Sequence, residues 1–307
     1  MKLRHVALVA CATALLAMLL VELRLPASRL FGVLEDAAHG PLFGIIACIA
    51  LSLLRDHRRS TLLRTPVQYL LAAAICLALG LATELAQLLG TRHASFGDFV
   101  NDALGTLGGL SVYALFDARV PRSPRALRIT LAGVAAGMVL LFTVPILWAT
   151  AAYAHRNAQF PVLIDGGSRL DLFFLAPLGT TIGRAPAGTV RIEFRAQAWP
   201  GVLLVEPRRN WTRYRTLVVD LENPNDAVLP IGLRVHDRTH NSAYSDRFNQ
   251  EFALAPHTRS ALRVSLAAIE SAPRGRRLDL QRIAGVAVFR LRSDAPQVLL
   301  LHSIRLE

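Results

Sequence analysis

The chain has 307 residues, of which 53% are hydrophobic and only 18% are charged, and its formal net charge is +12. This composition is more apolar than that of an ordinary soluble protein, and the apolar runs are concentrated before residue 154. The basic residues are nearly all arginines, many of them between apolar runs, and no nucleic-acid motif accompanies them, so we expect no nucleic-acid partner.

The first half contains five apolar runs that predict a bundle of five transmembrane helices. The runs cover residues 6–23, 37–54, 66–89, 103–116 and 129–152. The first run also has the basic start and apolar centre of a signal peptide. Leu25-Pro26-Ala27 is a poor cleavage site, however, and four further runs follow, which favours an uncleaved anchor.

The arginines between the runs predict the orientation of this bundle. They are concentrated in 55–64, between the second and third runs, and in 119–128, between the fourth and fifth. Because short cytoplasmic segments are enriched in Lys and Arg, we expect a multi-pass protein of the bacterial inner membrane. Its N-terminus would be cytoplasmic and its C-terminal half would lie outside, in the periplasm or its equivalent.

Polar residues interrupt the apolar runs at the end predicted to face outward. Three pairs are spaced i,i+3, which puts both members on one helix face: Asp36 with His39, Glu84 with Gln87, and Asp98 with Asn101. Arg92 lies in the segment between the last two pairs. Ionisable groups in spans usually face a bundle interior or a water-filled cavity, so this pattern predicts a polar pocket.

Two interpretations of this predicted pocket stay open. The residues can be structural, with Asp98 capping its helix and Glu84 paired with Arg92. Alternatively, His39 with Glu84 and Asp98 can act as catalytic acid and base groups. We predict no metal site and no cofactor, because the spacing matches no ligand motif.

The same polar residues carry a resemblance to a known family. Residues 30–116 resemble the VanZ-like family in the spacing of Asp36 and His39, and of Glu84, Gln87, Arg92, Ser95, Asp98, Asn101, Gly105 and Gly109. The resemblance implies a cell-envelope membrane protein, in a family associated with resistance to glycopeptide antibiotics such as teicoplanin. It does not imply a particular reaction.

The second half alternates apolar and polar residues, as β-strands do. Residues 1–153 are predicted to form the membrane domain, 154–184 a linker and entry segment, and 185–307 an all-β sandwich of the jelly-roll type. The apolar positions are Val190, Ile192 and Phe194; Leu217, Val219 and Leu221; Ile231, Leu233 and Val235; Leu262, Val264 and Leu266; Val286 and Val288; and Leu300, Ile304 and Leu306.

The loop around residues 237–249 and the segment from Trp211 to Tyr214 resemble parts of carbohydrate-binding, galactose-binding-like jelly rolls. The resemblance implies a glycan site formed by Trp211, Tyr214, Asp237, His240, Tyr244 and Arg247. Tyr and Trp suit such sites because their rings are apolar and their edges are polar. In the competing interpretation, Trp199 and Trp211 belong to the core, and Asp237 and Arg247 hold the loop in place.

Three functions follow from these patterns. The preferred one is a cell-envelope protein that binds a glycan or a lipid-linked envelope component. The second is a membrane enzyme acting on an envelope precursor through His39, Glu84 and Asp98. The third is a non-catalytic envelope scaffold. A transporter is disfavoured, because the polar residues gather at one end of the helices instead of crossing the midplane.

Overall fold

The computed structural model describes residues 3–20, 28–57, 63–88, 95–120, 125–196, 198–291 and 296–307. It divides into two compact units, Met1–Ala149 and Thr150–Glu307.

Among the described residues, five helices occupy the apolar part of the chain. They are α1 (Leu3–Leu20), α2 (Arg29–Asp56), α3 (Thr65–Gln87), α4 (Phe96–Phe116) and α5 (Arg125–Gln159). By length and composition, α2 to α5 can each cross a membrane, whereas the apolar part of α1, Leu3–Met18, is shorter. Each predicted run thus overlaps a helix, and four of the five helices qualify as candidate spans by length and composition; residues 21–23 and 89 of the predicted runs lie outside the described residues.

The helices extend beyond the apolar runs because polar residues cap them. The hydroxyl of Ser28 accepts a hydrogen bond from the Phe31 amide, and α2 therefore starts eight residues before the predicted run. Ser95 caps α4 in the same way, accepting from the Asp98 amide at 3.2 Å. Pro41 lies inside α2, which continues through it to Asp56.

Glycines bring α2 and α4 into backbone contact. A Cβ atom on Gly105 would lie 2.0 Å from the Gly40 carbonyl oxygen, and one on Gly109 would lie 2.3 Å from that of Gly44. The two helices thus meet along matching small-xxx-small faces, a common packing mode of membrane helices. Because of this close approach, side chains on α2 can contact side chains on α4 directly.

A fully paired arginine joins α2, α3 and α4 at the opposite end from His39. Arg55 forms an ion pair with Asp117 and donates to the Gln68 side chain at 3.2 Å. Its guanidinium lies between the rings of Tyr69 and Tyr113, 5.3 and 5.2 Å from their centroids. The sequence pattern places Arg55 among the loop cations, but it is buried in the last turn of α2.

In its described residues, the second unit contains eleven strands and one short α-helix that follow the end of α5. The strands are β1 (Val162–Asp165), β2 (Leu175–Leu178), β3 (Thr180–Ala185), β4 (Thr189–Phe194), β5 (Gly201–Val205), β6 (Thr216–Asn223), β7 (Leu229–Asp237), β8 (Phe248–Leu254), β9 (Thr258–Ser265), β10 (Ile283–Arg290) and β11 (Gln297–Leu306), and the helix is α6 (Leu266–Ser271).

The strands form two antiparallel sheets around one core. One sheet has the order β3-β4-β11-β6-β9, with β1 also pairing with β11, and the other has the order β2-β5-β10-β7-β8. The core draws on both sheets: Ile192 and Leu221 come from the first, and Leu204, Leu233 and Val288 from the second. From β4 onward nearly every connection crosses between the sheets, so the expected jelly-roll-like sandwich is confirmed.

Three details differ from the sequence patterns. The segment 154–184 includes β1, β2 and most of β3. Leu266 begins α6 instead of ending a strand, and its side chain is still buried. In β11 Ile304 and Leu306 are buried as expected, but Leu299 and Leu301 are buried in place of Leu300, because the register shifts between Leu301 and Ser303. Such a bulge reverses the alternation that the sequence pattern assumes to be continuous.

Candidate functional site

A histidine–carboxylate pair lies where α2 and α4 approach most closely. The Nδ1 atom of His39 is 2.8 Å from the Oδ1 atom of Asp102, and both side chains are buried. Since an ionised carboxylate only accepts hydrogen bonds, the proton belongs on Nδ1. The Nε2 atom lies on the other side of the ring, 4.0 Å from the Oδ2 atom of Asp98, and in the neutral form of the ring it can accept a proton.

Glu84 brings α3 into the same group. Its Oε2 atom accepts a 2.6 Å hydrogen bond from the backbone amide of Ser95, the residue that caps α4. In a capping box the residue at the Asp98 position would accept this bond. Here Glu84 does so from another helix, which leaves the carboxylate of Asp98 facing His39. We call His39, Glu84, Asp98 and Asp102 the His39 cluster.

The His39 cluster and Gln87, one turn after Glu84 on α3, have buried polar atoms without a hydrogen-bond partner in the described part of the chain. Among the described residues, the Oε1 atom of Glu84, the Oδ2 atom of Asp102 and the Nε2 atom of Gln87 have no hydrogen-bond partner. All three side chains are at least nine-tenths buried. A buried polar atom without a partner is costly, so such a group is a candidate for binding a proton, water or a ligand.

The other predicted pocket residues lie at the edge of this cluster or outside the described chain. Asp36 is exposed, and its backbone carbonyl accepts a hydrogen bond from the Asn101 side chain at 3.3 Å. Arg92 lies outside the described residues, so its predicted pairing with Glu84 stays a prediction. Asp102 was missed, although it lies four residues after Asp98 and therefore on the same helix face.

No group of three or more His, Cys, Asp or Glu side chains in the described part of the chain is arranged to hold a metal ion. The chemistry that the His39 cluster itself offers is hydrogen bonding and proton transfer between an imidazole and carboxylates.

In the sandwich, two of the predicted glycan-binding residues pack into or against the core. Trp211 is fully buried in the core, and its indole N–H donates to the Arg208 carbonyl. It cannot offer a ring face to a sugar. Tyr214 packs edge-on against Phe160, with the ring centroids 5.3 Å apart, and is half-buried against the core.

A second arginine forms ion pairs with acidic residues of the 237–249 loop. Arg276 forms ion pairs with Asp237 and Asp246, and Asp237 also accepts from the Asp279 amide at 2.8 Å. Burial favours the neutral form of Asp237, but these bonds outweigh it and hold the pKa of Asp237 below its usual value. His240 contacts the Asp246 carbonyl oxygen at 3.1 Å. We call Asp237, Asp246 and Arg276 the Arg276 cluster; it holds the loop in place.

The remaining two predicted residues, Tyr244 and Arg247, line a groove on the outer face of the sheet β2-β5-β10-β7-β8. The groove has a volume of about 440 Å³. Its lining consists of Leu178, Trp199, Arg234, Tyr244, Arg247, Ala287 and Phe289. We call it the Trp199 groove. Its volume falls in the usual range for small-molecule and saccharide sites, which is roughly 300–1,000 Å³.

The ring of Phe289, lying over small residues, forms the floor of the Trp199 groove. Phe289 on β10 lies directly between Gly201 on β5 and Gly232 on β7. A Cβ atom on Gly232 would lie 2.3 Å from the Phe289 ring, so this ring lies flat over the neighbouring strand. Ala287, the next outward residue of β10, continues the floor. A shallow depression with an aromatic base results.

Exposed aromatic side chains form the walls. Trp199 is 58% exposed and Tyr244 is 68% exposed, in contrast to the fully buried Trp211. The Trp199 ring meets Phe289 edge-on, with centroids 6.1 Å apart, and the guanidinium of Arg247 lies 5.4 Å from the Tyr244 ring centroid. The backbone φ of Trp199 is +56°, a conformation that non-glycine residues rarely adopt and that is enriched at functional sites.

The groove is also positively charged. Arg234 on β7 lies opposite Ala287. Burial, and to a smaller extent the positive charge of Arg247, lowers the pKa of Arg234. The guanidinium still stays protonated at neutral pH. His236 follows on the same face. Burial, and then the positive charge of Arg234, lowers the pKa of His236 to about 4. The imidazole is therefore neutral at pH 7, and the charge comes from the two arginines.

Arg234 and Phe289 are absent from the glycan-binding residues predicted from the sequence. The sequence indicates Trp199 only as a candidate core residue. The available signal was the outward row of β7 and β10, where Arg234 and His236 alternate with core residues and glycines flank Phe289. This signal needs the strand register, which alternation alone does not supply.

Comparisons with known proteins leave the family open. No family model matches the chain, and no curated protein matches it, so the resemblance to the VanZ-like family has no support from either comparison.

Several solved structures are similar to part of this chain. A family 11 carbohydrate-binding module from Clostridium thermocellum, in complex with a β-1,3-1,4-mixed-linked tetrasaccharide, is 11% identical with a TM-score of 0.38, covering 47% of this chain and 93% of the module. The agarase AgWH50C is 14% identical with a TM-score of 0.39, covering 48% of this chain. A family 29 carbohydrate-binding module mutant is 11% identical with a TM-score of 0.33, covering 47% of this chain and 89% of the module. The chain spans about a quarter of the agarase, 26% of its length. Similarity at this level gives no information about the ligand.

Proposed function

We propose that this protein is a membrane-anchored glycan-binding protein of the bacterial cell envelope, with its ligand in the Trp199 groove. The observation that carries this proposal is the pair of exposed aromatic side chains, Trp199 and Tyr244, beside the flat ring of Phe289. Aromatic faces pack against the C–H surfaces of sugar rings, while nearby polar groups bind hydroxyls. A contiguous exposed apolar patch with polar groups at its rim is a common mark of a binding site.

The test is a glycan array probed with the full-length protein in nanodiscs. We expect the wild type to bind a subset of oligosaccharides and the double variant Trp199→Ala, Tyr244→Ala to lose that binding. Trp148→Ala is the matched control, because it removes an exposed tryptophan from α5. Binding that survives in the double variant, or a wild type that binds no glycan, would reject the groove and favour the scaffold function.

The membrane placement is part of the proposal. It is supported by four helices with the length and composition of spans and by arginines in the segments 55–64 and 119–128. We propose five spans, a cytoplasmic N-terminus and a C-terminal unit outside the inner membrane. Alkaline phosphatase fused to the C-terminus should be active, and an inactive fusion at normal protein level would reject this orientation.

The His39 cluster supports a second candidate function, a membrane enzyme that acts on an envelope precursor. The specific observation is that Asp102 lies 2.8 Å from Nδ1 of the His39 ring and Asp98 lies 4.0 Å from its Nε2, beside carboxylate oxygens of Glu84 and Asp102 that lack partners among the described residues. An oriented imidazole next to a carboxylate is a common general acid/base arrangement. The resemblance to the VanZ-like family points to a glycopeptide-sensitivity assay as the first readout.

Two variants test this candidate. Glu84→Gln keeps the acceptor for the Ser95 amide and removes the charge, and Asp102→Asn keeps the shape but reverses the hydrogen bond to His39. If the cluster is catalytic, both variants should lose the envelope phenotype at unchanged protein level. A phenotype that persists in both would leave the cluster with a structural role.

A further inference from the structure

The Trp199 groove contains two arginines that the fold does not neutralise. Within the described residues, neither Arg234 nor Arg247 forms an ion pair: the Nε atom of Arg234 has no hydrogen-bond partner, and Arg247 donates to the neutral side chain of Asn249 at 3.2 Å. Both side chains are partly buried. A partly buried guanidinium without an anion loses hydration without compensation.

Other arginines of the same unit show the contrast. Arg276 is paired with Asp237 and Asp246, and Arg259 forms two hydrogen bonds with the carboxylate of Asp220 on the other sheet. These two arginines therefore have acidic partners within the fold. The groove instead combines two unpaired cations with aromatic surfaces, in a depression open to solvent.

We infer that the ligand of the Trp199 groove is an anionic saccharide, whose carboxylate or sulfate group is bound by Arg234 and Arg247 while its ring packs on Trp199 and Phe289. This inference rests on the proposed glycan-binding function. Guanidinium groups suit it because they bind oxyanions through two parallel N–H donors. The neutral His236 contributes a polar edge beside them. Glu251 of β8 is exposed and lies opposite Gly232 of β7. Its negative charge lies on the neighbouring outward row and limits where the anionic group can lie.

Two pairs of saccharides that differ only in charge test the inference. The full-length protein in zwitterionic nanodiscs is titrated with oligogalacturonate and its methyl ester, and with dextran sulfate and dextran. We expect the acidic member of at least one pair to bind about tenfold or more tightly, and this preference to weaken as salt rises. The pair that shows the preference distinguishes a carboxylate ligand from a sulfate ligand.

Variants separate this inference from the proposed function. The double variant Arg234→Gln, Arg247→Gln should bring the acidic member down to the affinity of its neutral partner. Arg263→Gln, which removes a paired arginine from β9 of the other sheet, should leave the preference unchanged. The inference of an anionic ligand is overturned if the wild type binds the acidic and neutral members equally, or if the preference for the acidic member survives in the double variant. The proposed glycan binding stands in either case. If no saccharide of either pair or of the array binds, both proposals fail.

Discussion

The inward and outward sides of the 237–249 loop differ in how their charges are compensated. On the inward side, every acid of the Arg276 cluster has a cationic or amide partner, and Trp211 nearby is fully buried. On the outward side, Trp199 and Tyr244 are exposed, and Arg234 and Arg247 have no carboxylate partner among the described residues. Compensated groups thus have partners within the fold, whereas the uncompensated groups keep capacity for further hydrogen bonds.

The helical unit shows the same contrast at its two ends. Arg55 is paired with Asp117 and lies between two tyrosine rings, so its cluster is closed. The His39 cluster, by contrast, keeps the unpartnered oxygens of Glu84 and Asp102 among the described residues. If this contrast holds, substitutions in the compensated clusters should cost stability, and substitutions in the others should cost function.

The largest expected effect comes from the two tryptophans of the sandwich. Trp211→Ala leaves a cavity in the core and should destabilise the protein by about 4 kcal/mol. Trp199→Ala removes an exposed ring and should cost less than about 1 kcal/mol while abolishing glycan binding. Thermal unfolding of the full-length protein in detergent, followed by circular dichroism of the β-structure, measures both. Equal losses of stability would contradict the contrast between the two sides.

Removal of a compensated arginine should come next. Arg276→Ala leaves the buried carboxylate of Asp237 without its cation and should cost about 3 kcal/mol. Arg247→Ala is the matched control, and we expect a change within about 0.5 kcal/mol because no ion pair is lost. Denaturant titrations of the two variants compare these losses directly. A larger loss for Arg247→Ala than for Arg276→Ala would show that the groove arginine serves the fold.

The helical unit should behave in parallel. Arg55→Ala leaves the buried Asp117 carboxylate without its cation, with only the Tyr69 hydroxyl and the Arg119 amide as donors among the described residues, and should lower stability by about 3 kcal/mol. Glu84→Gln should change it by less than about 1 kcal/mol, because the Ser95 amide keeps an oxygen acceptor. Melting temperatures in the same detergent measure both variants. A Glu84→Gln loss as large as that of Arg55→Ala would assign the His39 cluster to the fold.

Acid should weaken the inward cluster selectively. The hydrogen bond from Arg276 holds the pKa of Asp246 below its usual value, and the pKa of Asp237 is lowered too. A carboxyl group with a lowered folded-state pKa stabilises the fold above its unfolded pKa, and this stabilisation is lost as the pH falls below about 4. The wild-type unfolding temperature should fall in this range more steeply than that of Arg276→Ala. Parallel pH profiles would mean that the cluster does not stabilise the loop through its charges.

The smallest expected effect concerns the edge of the Trp199 groove. Glu251→Gln removes the negative charge opposite Gly232 and should raise the affinity for the acidic saccharide by about two- to fivefold, an exposed-charge effect of less than about 1 kcal/mol. Affinity for the neutral partner should not change. The saccharide titrations in nanodiscs measure both, and an equal gain for the two saccharides would place the effect elsewhere.

Much of the fold was predictable because its signals are local. Apolar runs predicted the helices, and the alternation around Ile192, Val219 and Leu233 predicted strands that the structure contains. The pairing of His39 with Asp102 was not predictable, because it depends on the glycine contact between α2 and α4. The Trp199 groove likewise depends on the register of β5, β7 and β10, which brings together residues that are far apart in the sequence.

Arginine modification gives the sharpest test of this division between paired and unpaired groups. The full-length protein is treated with phenylglyoxal, with and without oligogalacturonate or dextran sulfate, and modified residues are identified by peptide mass spectrometry. We predict that Arg234 and Arg247 react, that the bound saccharide protects them, and that the paired Arg276 reacts slowly throughout. Modification of Arg276 as fast as that of Arg247, or no protection of Arg234 and Arg247 by either saccharide, would contradict this prediction.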